Sequence, residues 1–178
     1  MVTPMALVVF LRGVNVGGHR TFRPSILANQ LKAYGVVNIG AAGTFVVPKP
    51  VSPTRLRSEL LRRLPFEPEV MICTAQELIR ATSRDPFGSE SSRSDVVRFV
   101  SVLAKPPQAL PTVPIRIPED GKWLLRVLSA RHRFLFGVYR REMKAISCLS
   151  AIDKLFGVPA TTRNWNTIGA ILKVLEKG

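Results

Sequence analysis

Apolar residues in the first 83 positions alternate between continuous runs and helical spacing, which predicts strands interleaved with helices. The pattern predicts strands over residues 5–12, 36–39, 44–47 and 70–73, and helices over 25–34 and 53–64. Gly35 is placed to end the first helix, and Ser52 is placed to cap the second. The order β-α-β-β-α-β is typical of a ferredoxin-like unit.

The second half of the chain has a less regular pattern. Thr74 and Glu77 form a capping box for a helix that reaches about Ser83, and a serine-rich loop over 87–93 follows. Five prolines between Lys105 and Pro118 exclude a long helix or a central strand there. The remaining elements are predicted as strands over 96–103, 123–128 and 134–139, with 129–133 joining the last two, and helices over 149–156 and 168–175.

The 178 residues therefore suit an α+β fold with two ferredoxin-like (split β-α-β) halves. We expect the first half, with its extra helix, over residues 1–83. The second half, over 84–178, is expected to be irregular and packed on the first. No internal repeat is strong enough to prove a duplication.

A glycine-rich segment, Leu11-Arg12-Gly13-Val14-Asn15-Val16-Gly17-Gly18-His19, joins the first strand to the first helix. Glycines permit positive φ and close approach of a ligand, and backbone amides before a helix can hold an anion. Arg12, Asn15, Gly17 and Gly18 are therefore candidate ligand contacts. An equal alternative is a structural turn in which Arg12 forms an ion pair and Asn15 satisfies backbone groups.

A second candidate segment, Arg163-Asn164-Trp165, precedes the last helix, for which Asn166 or Thr167 would be the cap. An indole, a carboxamide and a guanidinium together could stack on and hydrogen-bond a planar ligand. The alternative is that Trp165 docks the last helix while Asn164 fixes the loop. If both candidate segments lie at the same end of the sheet, they form one pocket.

The two segments together, Leu-Arg-Gly-x-Asn-Val-Gly-Gly and Thr161-Thr162-Arg163-Asn164-Trp165-Asn166-Thr167, resemble the bacterial "domain of unknown function 1697" family. The intervening order, with Thr74-Ala75-Gln76-Glu77-Leu78, Asp85-Pro86-Phe87 and Gly157-Val158-Pro159-Ala160, extends the resemblance over nearly the whole chain. The resemblance implies an α+β fold of ferredoxin-like units and a cytoplasmic location, and it implies no activity. The family usually has Gln-Ser-Gly-Asn where this chain has Ala41-Ala42-Gly43-Thr44; if those polar side chains form part of a site, the site in this chain is altered or lost.

Charge adds a possible partner class. With 26 Lys and Arg against 12 Asp and Glu, the formal net charge is +14, which favours polyanions. The basic residues of the predicted strands at 122–141 could form one positive face for nucleic acid: Lys122, Arg126, Arg131, Arg133, Arg140 and Arg141. The alternative is a solvated edge that its charge protects from strand addition. Phe10 and Phe45 lack the signature of a base-stacking RNA-recognition motif and are predicted to be core.

Catalytic chemistry has few candidates. His19 is the better of two histidines as a proton carrier, because His132 lies among arginines in a hairpin turn. No carboxylate pair, zinc-ligand spacing or nucleophile elbow is present, so we predict neither a metal nor a cofactor. The distant Cys73 and Cys148 suggest structural thiols, and no apolar stretch is long enough to span a membrane, which favours a reduced cytoplasmic protein.

The sequence thus leaves three functional hypotheses. The leading one is a protein that binds a phosphate-bearing ligand, either nucleic acid or a nucleotide-like small molecule. The second is an enzyme that acts on a small anionic substrate. The third is a structural or interaction protein whose motifs only maintain the fold.

Overall fold

The computed structural model describes residues 5–178 and divides them into two compact units. The first unit contains the described residues through Arg80 and also Gly169–Gly178, and the second contains Ala81–Ile168. Each unit has its own antiparallel sheet with helices, which confirms the α+β class. Residues 1–4 of the first predicted half lie outside the described residues.

The first unit has the predicted element order through its fourth strand. Its sheet has the order β2-β3-β1-β4, and all neighbours are antiparallel. A 3-10 turn over Lys32–Tyr34 extends α1, and Gly35 follows at φ 69°. The elements are β1 (Leu7–Leu11), α1 (Pro24–Gln30), β2 (Val37–Asn38), β3 (Thr44–Val47), α2 (Pro53–Arg63), β4 (Val70–Thr74) and α3 (Ala75–Thr82), which begins in this unit.

The core of this unit lies between the sheet and its helices. Leu7, Val9 and Leu11 of β1 pack with residues of β3 and α2, and every residue of β1 is buried. Phe10 and Phe45 are fully buried, which confirms them as core residues and excludes base stacking on them. Ser52 caps α2 as predicted, since its hydroxyl oxygen accepts a hydrogen bond from Arg55 N at 3.2 Å.

The second unit contains a five-stranded sheet of order β6-β7-β8-β5-β9. Apart from the short edge strand β6, its strands follow the same spatial order as those of the first sheet: second, third, first, fourth. The elements are β5 (Val96–Leu103), β6 (Ile115–Ile117), β7 (Leu125–Arg131), β8 (Phe134–Arg140), α4 (Met143–Cys148), α5 (Ala151–Phe156), β9 (Ala160–Asn164) and α6 (Trp165–Lys177), which begins in this unit.

Four details of the second unit differ from the prediction. The predicted loop over 87–93 contains a 3-10 helix, Gly88–Ser92. The predicted helix over 149–156 is α5, which begins two residues later, and α4, which the pattern did not predict, precedes it. The β7–β8 hairpin turn is only His132-Arg133, because His132 takes φ 54° and lets both strands extend. The segment before the last helix is the strand β9, in which the Thr162 hydroxyl lies 2.6 Å from that of Ser101 on β5.

A candidate anion-binding cavity

A polar cavity of about 290 Å³ opens at one end of the second sheet, where β9 stops and α6 begins. β9 ends at Asn164 opposite Phe99, so the first residues of β5 extend beyond their β9 partners and line the cavity. All the lining residues belong to the second unit. We call the site the arginine cavity; its lining consists of Arg93, Val96, Val97, Arg98, Tyr139, Arg141, Asn164, Trp165 and Asn166.

Phe87 holds two of these side chains in place. Its buried ring lies 4.9 Å from the Trp165 ring in an edge-on arrangement, and the guanidinium carbon of Arg98 lies 5.7 Å from its centroid. Phe87 is itself fixed because its N–H donates to the Asp85 carboxylate at 2.9 Å. Side chains that are ordered before binding lose less entropy when a ligand arrives, so this packing preorganises the cavity.

The arginines of the cavity differ in how far their charge is neutralised. Arg93 pairs with Glu90 at 3.0 Å and with Asp95 at 2.5 Å. Arg141 donates from Nε to the Ser94 carbonyl at 3.1 Å. Within residues 5–178, neither Arg98 nor Arg141 lies in an ion pair, and no carboxylate lines the cavity. The cavity therefore presents two guanidinium groups without a counter-ion, which suits an anionic ligand.

The surroundings of Tyr139 and Asp95 fix the protonation states of these two groups at physiological pH. Burial raises the pKa of the Tyr139 hydroxyl, and the nearby charge of Arg141 opposes this only in part. Tyr139 is therefore neutral at physiological pH and can donate a hydrogen bond to a ligand oxygen. The hydrogen bond from Arg93 lowers the pKa of Asp95, so this carboxylate stays ionised and holds Arg93.

The structure corrects the predicted cap of α6. The cap is Asn164, whose side-chain oxygen accepts hydrogen bonds from the N–H of Thr167 at 2.8 Å and from its hydroxyl at 3.0 Å. Asn166, one of the two predicted caps, instead lines the cavity.

Arg163, the residue before the cap, is buried in β9. It donates to the Thr161 hydroxyl at 2.8 Å and to the Thr162 carbonyl at 2.9 Å. Burial lowers its pKa to about 10, so it stays charged at neutral pH. Of the predicted trio, only Asn164 and Trp165 line the arginine cavity.

The glycine-rich segment lies in the first unit, where its polar groups hold the loop together. Asn15 adopts φ 54°; its amide nitrogen donates to Ala41 O and its oxygen accepts from Phe22 N, both at 2.9 Å. Arg12 pairs with Glu69 at 3.3 Å. Gly17 and Gly18 have positive φ in a turn that a Val16–His19 bridge closes. These contacts favour the structural interpretation of Arg12 and Asn15. The proposed ligand contacts and the single pocket joining both segments stay predictions.

The basic residues of 122–141 do not share one exposed face. Arg133 is only 9% exposed and donates from Nε to Leu103 O at 2.9 Å, and Arg131 donates to Ala81 O at 2.6 Å. Lys122 pairs with Glu142 at 2.6 Å, Arg126 with Glu90 at 2.9 Å, and Arg140 lies 3.6 Å from Asp95. The edge alternative does not hold, because β7 and β8 each have neighbours on both sides and the edges of the sheet are β6 and β9.

Comparison with known protein families shows to which family the chain belongs. Residues 5–122 match the model of a family described as "Protein of unknown function (DUF1697)". The chain belongs to the DUF1697 family. This confirms the predicted family over residues 5–122; the second motif, at 161–167, lies outside the matched residues. A comparison with curated proteins found no match.

One solved structure shares the fold. The chain is similar to the conserved bacterial protein SP0830 from Streptococcus pneumoniae, with a TM-score of 0.61 and 14% sequence identity. The match covers 96% of this chain and 98% of the other. At this identity the likeness shows the fold alone.

In this DUF1697 member, the segment that departs from the usual pattern supports the glycine-rich loop through its backbone. Ala41 supplies the carbonyl that binds Asn15, and Gly43 supplies the carbonyl that accepts from Leu11 N at 2.8 Å. His19, the candidate proton carrier, donates its backbone N–H to Val16 O at 3.0 Å. Over residues 5–178 there is no group of three metal-binding side chains and no helix long and apolar enough to cross a membrane.

Several cavity residues were not identified from the sequence. Arg98 carried a usable signal, since it is the one charged residue in the mostly apolar strand Val96–Leu103. Arg93 and Tyr139 carried none, because they come from separate segments that only the sheet brings together. A larger cavity of about 720 Å³ lies between β6 and α5, and its lining mixes apolar residues with the charged residues Arg116, Glu119 and Lys154.

Proposed function

We propose that this protein binds a phosphate-bearing ligand in the arginine cavity of its second unit. The observation that carries the proposal is the presence of Arg98 and Arg141, without carboxylate partners among the described residues, around one polar cavity. A phosphate group matches this environment because guanidinium groups bind its oxygens with charge-assisted hydrogen bonds.

The other lining residues favour a phosphate attached to a planar group. Trp165 presents an aromatic side chain that is only partly covered by Phe87 and Phe136. Tyr139 and Asn166 add hydrogen-bonding groups beside it. A cavity of about 290 Å³ is at the lower end of the size range for small-molecule sites, so it suits one nucleotide better than a dinucleotide cofactor.

We also place the protein in the cytoplasm. Cys73 and Cys148 are both unbridged, as expected for a reducing compartment. Nucleotides and nucleic acids are abundant there, so the proposed location and ligand class agree.

The test compares a nucleoside monophosphate with its nucleoside. We expect uridine monophosphate to raise the melting temperature of the full chain, because a ligand that binds only the native state stabilises it. Uridine, which lacks the phosphate, should have no such effect. Arg98→Gln should weaken the monophosphate affinity by roughly tenfold or more, the effect expected for a lost charge-assisted hydrogen bond.

The matched control is Arg55→Gln, which removes the same charge from an exposed position on α2 of the first unit. It should leave the affinity for uridine monophosphate unchanged at physiological salt. Equal effects of the two variants, or equal stabilisation by uridine and its monophosphate, would overturn the proposal.

A further inference from the structure

A second cavity in the same unit is linked to the arginine cavity by the cation–π contact between Arg93 and Trp123. It measures about 350 Å³ and is lined by Pro114, Arg116, Trp123 and Arg126. Arg116 and Arg126 are direct cross-strand partners on β6 and β7, so two like charges face the same side of the sheet. We call this the Trp123 cavity.

The cross-strand arginine pair is only half neutralised. Arg126 pairs with Glu90 at 2.9 Å, whereas Arg116 donates to the Gly121 carbonyl at 3.0 Å. Along the described residues Arg116 lies in no ion pair. Like charges directly opposite each other destabilise a sheet unless an anion lies between or beside them. The Trp123 cavity therefore has the charge of a second phosphate subsite.

Arg93 connects the two cavities. Its side chain lines the arginine cavity, and its guanidinium carbon lies 5.5 Å from the Trp123 ring centroid. Arg126 and Arg140 lie over the same indole, at 5.1 Å and 4.1 Å. Each cavity thus combines arginines with one of the two tryptophans of the chain. Glu90 and Asp95 neutralise the three arginines around Trp123, so the guanidinium groups left for a ligand are Arg98 and Arg141 in the first cavity and Arg116 in the second.

We propose that the phosphate-bearing ligand is a single-stranded nucleic acid that lies across both cavities. Successive phosphates match Arg98 and Arg141 at one cavity and Arg116 at the other, and unstacked bases match the exposed parts of the two half-buried tryptophans, of which Trp123 already carries Arg140 over its ring. Proteins that bind single strands combine a basic groove with aromatic side chains in this way. A duplex keeps its bases stacked and offers none to Trp123 or Trp165. The inference rests on the proposed function, because one of its two subsites is the arginine cavity.

The test measures binding of the full chain to two probes. The first is labelled dT12, with rU12 as the RNA counterpart, and the second is the mononucleotide thymidine 3′,5′-bisphosphate. Arg116→Gln should weaken dT12 or rU12 binding by about fivefold to tenfold at physiological salt and reduce the salt slope by about 0.7, the contribution of one phosphate of a single strand. The same variant should leave mononucleotide binding unchanged, and Arg55→Gln should change neither.

Tryptophan fluorescence adds a second readout. Trp165→Phe leaves Trp123 as the one indole, and Trp123→Phe leaves Trp165. We expect the oligonucleotide to change the emission of both variants, and the mononucleotide to change only that of Trp165. A mononucleotide that binds as tightly as dT12, or an Arg116→Gln variant that matches Arg55→Gln, would overturn the extended site while leaving the proposed function standing.

Failure of the proposed function has a different signature. If the proposed function is wrong, Arg98→Gln will leave mononucleotide binding unaffected. That result would rule out the arginine cavity as a binding site, and with it the extended site. Heparin that displaces dT12 as readily as unlabelled dT12 does would assign the binding to general charge and also overturn the inference. A preference between dT12 and rU12 would identify which nucleic acid is bound.

Discussion

At the residue scale, Gly43 shows how one backbone position supports the glycine-rich loop. It adopts φ 76°, and a Cβ added there would lie 2.8 Å from Val14 Cγ2 and 2.9 Å from Leu11 Cβ. Gly40, in the same connection, adopts φ 74° with nothing within 4 Å of such a Cβ. Comparing Gly40 with Gly43 therefore separates the cost of a left-handed backbone from the cost of a steric clash at the added Cβ.

We therefore predict different costs for the same substitution at these two positions. Gly40→Ala should lower the free energy of unfolding by about 1 kcal/mol, the cost of a left-handed conformation. Gly43→Ala should lower it by roughly 3 kcal/mol, because crowding of Leu11 and Val14 adds to that cost. Urea unfolding of both variants measures the difference, and equal values would contradict the packing at Gly43.

Asn15 permits a similar test of the structural interpretation. Asn15→Gly keeps the left-handed conformation but loses the hydrogen bonds to Ala41 and Phe22, so it should destabilise the protein by about 1–2 kcal/mol. Asn15→Ala should destabilise it further by about 1 kcal/mol, because alanine resists φ 54°. The measurement is thermal unfolding with and without uridine monophosphate. If Asn15 contacted the ligand, the nucleotide would no longer raise the melting temperature of Asn15→Gly.

At the element scale, α6 links a helix cap to the arginine cavity. Asn164→Ala should lower the free energy of unfolding by about 1 kcal/mol through loss of the cap to Thr167. Asn164→Asp keeps a capping oxygen and places a negative charge near Arg98 and Arg141, so stability should be retained or increased.

The aspartate variant should also weaken nucleotide binding, because its carboxylate would occupy the guanidinium groups that the phosphate needs. Chemical unfolding and a nucleotide titration of both variants provide the measurement. An aspartate variant that binds uridine monophosphate as tightly as the native protein would show that Asn164 lies too far from the ligand to matter.

The elements also show what sequence reasoning could reach. The strands of the first unit and the caps at Ser52 and Thr74 follow local patterns, so they were predictable: Thr74 N–H donates to Glu77 at 2.7 Å, as the capping box implies. β9 was missed because Ala160–Asn164 is a short, mostly polar segment whose strand character comes from pairing with β5. The arginine cavity depends on that pairing, since its lining residues come together only where β9 stops.

At the scale of the whole molecule, three surface ion pairs contribute to the response to acid. Hydrogen bonds from Arg63, Arg93 and Lys122 lower the pKa values of Glu59, Asp95 and Glu142, respectively. A carboxylate whose pKa is lowered by folding stabilises the native state above its unfolded pKa and loses that contribution as the pH falls through its folded pKa. We expect the free energy of unfolding to decrease below about pH 4.

Asp95→Asn should make this acid dependence shallower, because one of the three linked groups no longer titrates. Glu119→Gln serves as the control, since Glu119 is exposed and forms none of the ion pairs found over residues 5–178. Urea unfolding between pH 3 and pH 7 provides the measurement. An unchanged slope in Asp95→Asn would mean that its ion pair with Arg93 does not contribute in solution.

The net charge of +14 predicts attraction to any polyanion at low salt, and a specific cavity predicts binding that persists when this attraction is screened. At about 20 mM salt, Arg55→Gln and Arg98→Gln should weaken heparin binding by similar small factors, because each removes one charge from a long-range field. At about 150 mM salt, where the screening length is about 8 Å, only Arg98→Gln should weaken uridine monophosphate binding. Titrations with both ligands at both salt concentrations measure the two contributions. If the effects of the two variants stay equal at both concentrations, the arginines act only through the overall charge of the protein.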